Sequence, residues 1–72
     1  MHEDIKSECL RIGLNIMICR KRLNLLQEDI SRMTGVSRSQ ISSMERGESN
    51  FKLKNLILIA EAMNIDYREL FW

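Results

Sequence analysis

A chain of 72 residues with net charge +1, no proline, three glycines and one histidine makes one small domain, able to bury only about 60% of its unfolded surface. Cys9 and Cys19, if one helix carries both, lie about 15 Å apart, too far for a disulfide, and they read as reduced thiols of a reducing compartment. His2 lies alone at a fraying end, there is no glycine-rich phosphate cradle, and no apolar run nears the roughly 18 residues of a membrane span, so metal, cofactor, small-molecule ligand, enzyme and membrane protein are all excluded and a cytoplasmic chain is expected.

Apolar residues recur at helical spacing along nearly the whole length, which predicts an all-α bundle of four or five helices. No repeat, linker or low-complexity tract interrupts it, so residues 1–72 are expected to form a single domain. Ile5, Cys9, Ile12, Ile16 and Leu23 keep the stride of three and four residues of a long first helix, with Cys19 beside the stripe. Asn24 is placed to end that helix in the left-handed conformation asparagine tolerates.

From Gln27 to Arg46 the sequence QEDISRMTGVSRSQISSMER reads as two short amphipathic helices hinged by a glycine. Ile30 and Met33 are expected inward on the first of the two, Gly35 supplies a positive-φ corner, and Val36 is the apolar residue of the turn. Ser37-Arg38-Ser39-Gln40 forms a capping box that opens the next helix. Its inward positions are Ile41 and Met44, which leaves Ser39, Ser42, Ser43 and Arg46 facing away at about 100° per residue. Small hydroxyls and arginine are not the usual choice for mere solvation, where Glu and Lys are better helix formers. The layout is that of a helix-turn-helix, whose second helix enters the DNA major groove.

A fourth helix is carried by Leu53, Leu56, Ile59, Ala60 and Met63, with Asn64 as its stop. Asp66-Tyr67-Arg68-Glu69 offers a second capping box for a short fifth turn, and Leu70-Phe71-Trp72 ends the sequence.

A net charge near zero argues against nucleic acid, but distribution reverses the argument. Between Ile30 and Lys54, Arg32, Arg38, Arg46, Lys52 and Lys54 face only Glu45 and Glu48, a local balance of +3, while both ends are acidic. Cations gathered on the groove-facing elements release counterions when they meet phosphates. The alternative is an ordinary mixed surface.

The residues Ile12-Gly13, Ile16, Arg20-Lys21, Asn24-Leu25, Gln27-Glu28, Ile30, Gly35-Val36-Ser37, Ile41, Met44-Glu45-Arg46-Gly47, Leu56, Ile59-Ala60 and Met63 resemble the Cro/C1-type (Xre-family) helix-turn-helix domain of phage repressors over about residues 12–71. The compact size and the run Arg38 to Arg46 followed by Asn50 are similar to the controller proteins of restriction-modification systems. The resemblance implies a compact five-helix, lambda-repressor-like DNA-binding domain with its helix-turn-helix at helices 2 and 3. It also implies an ion pair between Arg20 and Glu45. Glu45 flanks the core side of its helix, where an unpaired carboxylate is costly, so a bidentate contact is expected; two separately solvated charges are the alternative. Two positions depart from the family. Leu26 and Lys52 stand where a capping hydroxyl is usual, each forgoing about 1 kcal/mol.

Arg38 is the leading candidate for base reading, since a guanidinium fork matches the O6 and N7 acceptors of guanine; its alternative is a phosphate contact. Ser39 and Ser43 are short enough to bring the helix close to the bases but discriminate poorly. Gln40 either reads adenine or is spent on the capping box. Gln27, Ser37, Ser42, Arg46, Asn50 and Lys52 are assigned to phosphates. One such helix reads few base pairs, so a homodimer on a palindromic site in double-stranded DNA is expected. Its interface is assigned to Phe51, Leu58, Ala62, Ile65, Tyr67, Phe71 and Trp72, with closure of the monomer core by Trp72 as the alternative. The function expected is a transcriptional regulator, and the alternative an antitoxin-like or adaptor module working through protein contacts.

Overall fold

The structure is a computed structural model that describes residues 3–48 and 52–72. Among the described residues four α-helices follow one another: α1 (Glu3–Arg22), α2 (Gln27–Thr34), α3 (Arg38–Glu45) and α4 (Leu53–Ala62), closed by a 3-10 turn over Tyr67–Phe71. The expected fifth helix is thus a single 3-10 turn. No described helix is long and apolar enough to cross a membrane.

Local chemistry sets the helix ends. Asn24 and Asn64 both take φ 59°, terminating α1 and α4 in the left-handed region that asparagine reaches at low cost. Gly35 ends α2 at φ 80° with open space around it, so here the glycine answers a backbone requirement alone. Ser37 Oγ accepts from Gln40 N–H at 3.1 Å and Gln40 Oε1 accepts from Ser37 N–H at 3.2 Å, closing the capping box of α3. Asp66 and Glu69 form the same box at the 3-10 turn. The starts of α2 and α4 have no such cap: neither Leu26 nor Lys52 makes a side-chain cap bond. At α2 the loss is partly made good by Asp29, which accepts from Leu26 N–H at 2.8 Å.

The core is Ile16, Ile30, Val36, Ile41, Met44, Leu56, Ile59, Ala60, Met63 and Leu70. Helix α1 packs on α3 and the 3-10 turn, α2 on α3 and α4, and α4 on the 3-10 turn. Ile12, Cys19, Leu25, Leu58, Ala62, Ile65, Tyr67 and Phe71 are half-buried against that centre. Burial of this kind contributes about 1.5–3 kcal/mol for each fully covered aliphatic side chain, and it holds together helices too short to persist alone.

Several expected core positions lie outside it. Met33 is 57% exposed; just after it Thr34 Oγ donates to Ile30 O and accepts from Val36 N–H, and it is Val36, the apolar residue of the turn, that is buried. Ile5, in the first turn of α1, and Leu23, just past its last residue, are exposed. Leu53 opens α4 and is also exposed. Leu10, Leu14 and Ile18 form an exposed apolar row on α1, one helical turn apart.

The approach of α1 to α3 is set by two glycines. A methyl group at Gly13 would lie 2.2 Å from Met44 O and 2.9 Å from Glu45 O, and one at Gly47 would lie 2.6 Å from Leu10 Cα. At Gly13 backbone therefore meets backbone, and at Gly47 the backbone and side chain of Leu10 leave no room for a methyl group.

Candidate nucleic-acid interface

Helix α3 buries Ile41 and Met44, which turns Ser39 and Arg38 out as exposed residues and leaves Ser42 and Ser43 half-covered at the margin. Between this face and the start of α2 runs an open groove of about 270 Å³ lined by Gln27, Arg38, Ser39, Ser42 and Arg46. Five of the residues assigned to DNA from the sequence thus share one concavity. A second opening of about 290 Å³ beside it is lined by Arg20, Leu26, Gln27, Glu28 and Arg38. Arg38 borders both and takes part in no ion pair among the described residues. Lys52 is exposed at the start of α4, while Asn50 and Phe51 lie outside the described residues.

Behind the groove, α1, α2 and α3 are tied by one polar cluster. Arg20 Nε donates to Glu45 Oε2 at 2.6 Å and Nη2 to Oε1 at 2.9 Å, a bidentate pair, while Nη1 donates to Leu25 O at 2.8 Å. The side chains of Arg20 and Glu45 are 9% and 5% exposed. The Arg20 guanidinium is held still further above its ordinary range, chiefly by its hydrogen bonds to Glu45, against the opposing effect of burial. A low-dielectric pair of this geometry is strong only while complete, because either partner alone is a buried charge.

Gln27 belongs to this cluster as well as to the groove. Its Nε2 donates to Glu45 Oε1 at 3.0 Å, which leaves the second Nε2 hydrogen and the backbone N–H groups at the start of α2 as the donors available for the phosphate role expected of it. Three further side chains are less free than the sequence suggested. Gln40 spends its carbonyl on Ser37, including a bond from Ser37 Oγ at 3.2 Å, which takes the capping-box side of the alternative and leaves only the amide nitrogen to donate. The Ser37 hydroxyl is likewise committed to the cap. Ser43 Oγ donates to Glu48, and Glu48 also receives Arg46 Nε at 2.9 Å. Sequence reasoning counted Glu48 only as a charge; its spacing from Arg46 was the available signal.

The stripe assigned to dimerisation is, among the described residues, mostly packed on the chain's own core. Leu58, Ala62, Ile65, Tyr67 and Phe71 are half-buried there, with the Tyr67 and Phe71 rings edge to face at 6.0 Å. Trp72 is 80% exposed and does not close the core. Asn15 Nδ2 donates to Leu70 O at 2.8 Å and Trp72 O at 3.0 Å, fixing this end on α1.

Comparison with known proteins agrees with this geometry. A helix-turn-helix family model matches residues 16–70. The restriction-modification controller protein C.AhdI from Aeromonas hydrophila has a similar crystal structure, with TM-score 0.86 and 32% identity over 90% of this chain and 98% of that one. The control protein C.SmaI of Serratia marcescens is 40% identical over 50 residues, 69% of this chain. The antitoxin PezA of Streptococcus pneumoniae is 34% identical over 56 residues, 78% of this chain. The chain spans 60% of the length of the control protein and 35% of that of the antitoxin. With the matched residues running from mid-α1 through the 3-10 turn, the chain belongs to the helix-turn-helix family of Cro/C1 (Xre) type.

Proposed function

We propose that this chain is a DNA-binding transcriptional regulator, not an enzyme, that reads a palindromic operator as a homodimer and controls a restriction-modification system. The observation that carries the reading is the groove-facing side of α3, with Arg38, Ser39, Ser42 and Arg46 gathered with Gln27 along one open groove. A guanidinium at the leading end of the helix suits guanine, and the flanking hydroxyls allow close approach. Likeness to C.SmaI and C.AhdI supports the controller role. Work of this kind belongs in the cytoplasm, on the nucleoid. Leu58, Ala62, Ile65, Tyr67, Phe71 and Trp72, with Phe51, form the dimer contact in this reading; Leu58, Ala62, Ile65, Tyr67 and Phe71 would use the outer halves of side chains whose inner halves touch the core, and Trp72 its exposed ring.

Titrating labelled duplex against salt tests the reading. A log-log slope of several units is expected, since each neutralised phosphate contributes about 0.9. A flat response, or no shift of any duplex at low ionic strength, refutes it. The likeness to PezA favours a second reading, an antitoxin-like module acting mainly through protein contacts, and that flat response is what it predicts.

A further inference from the structure

Glu48 occupies a place that the DNA-binding reading leaves unexplained. Arg46 caps the end of α3, Gly47 turns the backbone at φ 75°, and Glu48 N–H donates back to Ser43 O at 3.1 Å. That turn lays the Glu48 carboxylate over the end of the groove-facing side. One carboxylate oxygen accepts from Arg46 Nε at 2.9 Å and the other from Ser43 Oγ, while Arg46 Nη1 reaches Ser42 Oγ. Hydrogen bonds from Arg46 first, then from Ser43, hold the Glu48 carboxyl below its ordinary range, so the group is an anion at neutral pH. An anion thus takes the Arg46 donor that a DNA phosphate would receive, and with it the Ser43 hydroxyl assigned to the bases, one donor to each oxygen.

We propose that Glu48 is a specificity-determining residue that stands in for a phosphate, holding Arg46 and Ser43 until a well-fitted duplex displaces it. The proposal rests on the reading of α3 as the DNA-facing helix. Its physical basis is the origin of indiscriminate binding. Affinity for random duplex comes almost wholly from cations that release counterions from phosphates. A cation already neutralised by its own chain releases none, so random DNA gains nothing from Arg46 unless the internal pair is broken. At a matched site, base contacts from Arg38 and Ser39 draw the helix close enough to make the exchange favourable. Glu48 thereby lowers affinity for all DNA and lowers it most for the wrong DNA.

The experiment compares the wild-type chain with Glu48→Gln on a random duplex and on a selected operator. Glu48 is exposed, and matching thermal melts establish that the variant folds. Freeing one cation for one phosphate steepens the salt slope by about 0.9, so the ratio of random-duplex affinities between about 50 and about 200 mM salt grows roughly 3.5-fold. The ratio of operator to random affinity is expected to fall. In an Arg46→Ala background, Glu48→Gln leaves the slope unchanged, and Glu61→Gln, which removes an exposed acid on α4, does not reproduce the gain. Wild-type binding with an unaltered slope in Glu48→Gln overturns the proposal alone, as does an equal gain from Glu61→Gln or in the Arg46→Ala background. Failure of both proteins to bind any duplex overturns the interface reading and the proposal with it.

Discussion

Replacing Glu45 by alanine removes both of the hydrogen bonds that Arg20 Nε and Nη2 make, and the acceptor of Gln27 Nε2, in one step. The guanidinium left behind is 9% exposed and keeps only Leu25 O. Losing one partner of a pair this deeply buried costs about 3–5 kcal/mol, whereas an exposed pair is worth about 0–1 kcal/mol. A chain of this size has a total stability of only about 4–11 kcal/mol, and each kcal/mol moves the midpoint by roughly 4–8 °C. Glu45→Ala is therefore expected to lower the melting midpoint by more than about 12 °C in a thermal scan followed by circular dichroism. Arg20→Met combined with Glu45→Leu is expected to melt higher than Glu45→Ala alone, because no unpaired charge remains. A drop below about 4 °C for the single change would place this pair among the weak surface ones and refute the argument from burial.

Gly13→Ala places a methyl group 2.2 Å from Met44 O; at the overpacking cost of about 1–3 kcal/mol or more, the urea midpoint falls, and operator affinity falls further because α3 must tilt away from α1. The Asp66 carboxyl, held by Arg68 through its side chain and then its backbone N–H, is lowered from 3.8 to about 2. Its folded value is depressed, so its stabilising contribution is present above the unfolded pKa and is lost as pH falls from about 4 toward 2; carboxyl chemical shifts followed by NMR report the titration, and in Asp66→Asn the pH dependence of the melt over that window flattens. Selection from a random oligonucleotide pool distinguishes the two classes of contact: Arg38→Ala relaxes one guanine position at a cost of about 1–3 kcal/mol, and Lys52→Ala weakens all sequences alike. A guanine preference that survives Arg38→Ala reassigns that side chain to phosphate.

What a reader of the sequence can see is what is local. Positive φ at Asn24, Gly35 and Asn64, and the capping boxes at Ser37 and Asp66, each depend on atoms within about four residues, the range over which backbone and side chain compete for the same hydrogen bonds. The outward side of α3 was legible for the same reason, because helical periodicity determines which side chains share a face. Gly13 carried no comparable signal: nothing within its own helix demands a glycine, and only the carbonyls of Met44 and Glu45, brought against it by the fold, exclude a larger residue. Met33 was misplaced because periodicity does not say which of two apolar neighbours, Met33 or Val36, the turn will fold under.

Sequence by itself therefore determined the helices, their ends and the chemistry of the exposed face, all consequences of short-range geometry. Tertiary structure decided which polar groups are already occupied: Gln27 by Glu45, which only the fold brings together, and Arg46 and Ser43 by Glu48, whose spacing from Arg46 the sequence already offered. The first link joins neighbouring helices and the second spans a turn. A hydrogen bond of either kind exists only once packing has fixed both partners within about 3 Å.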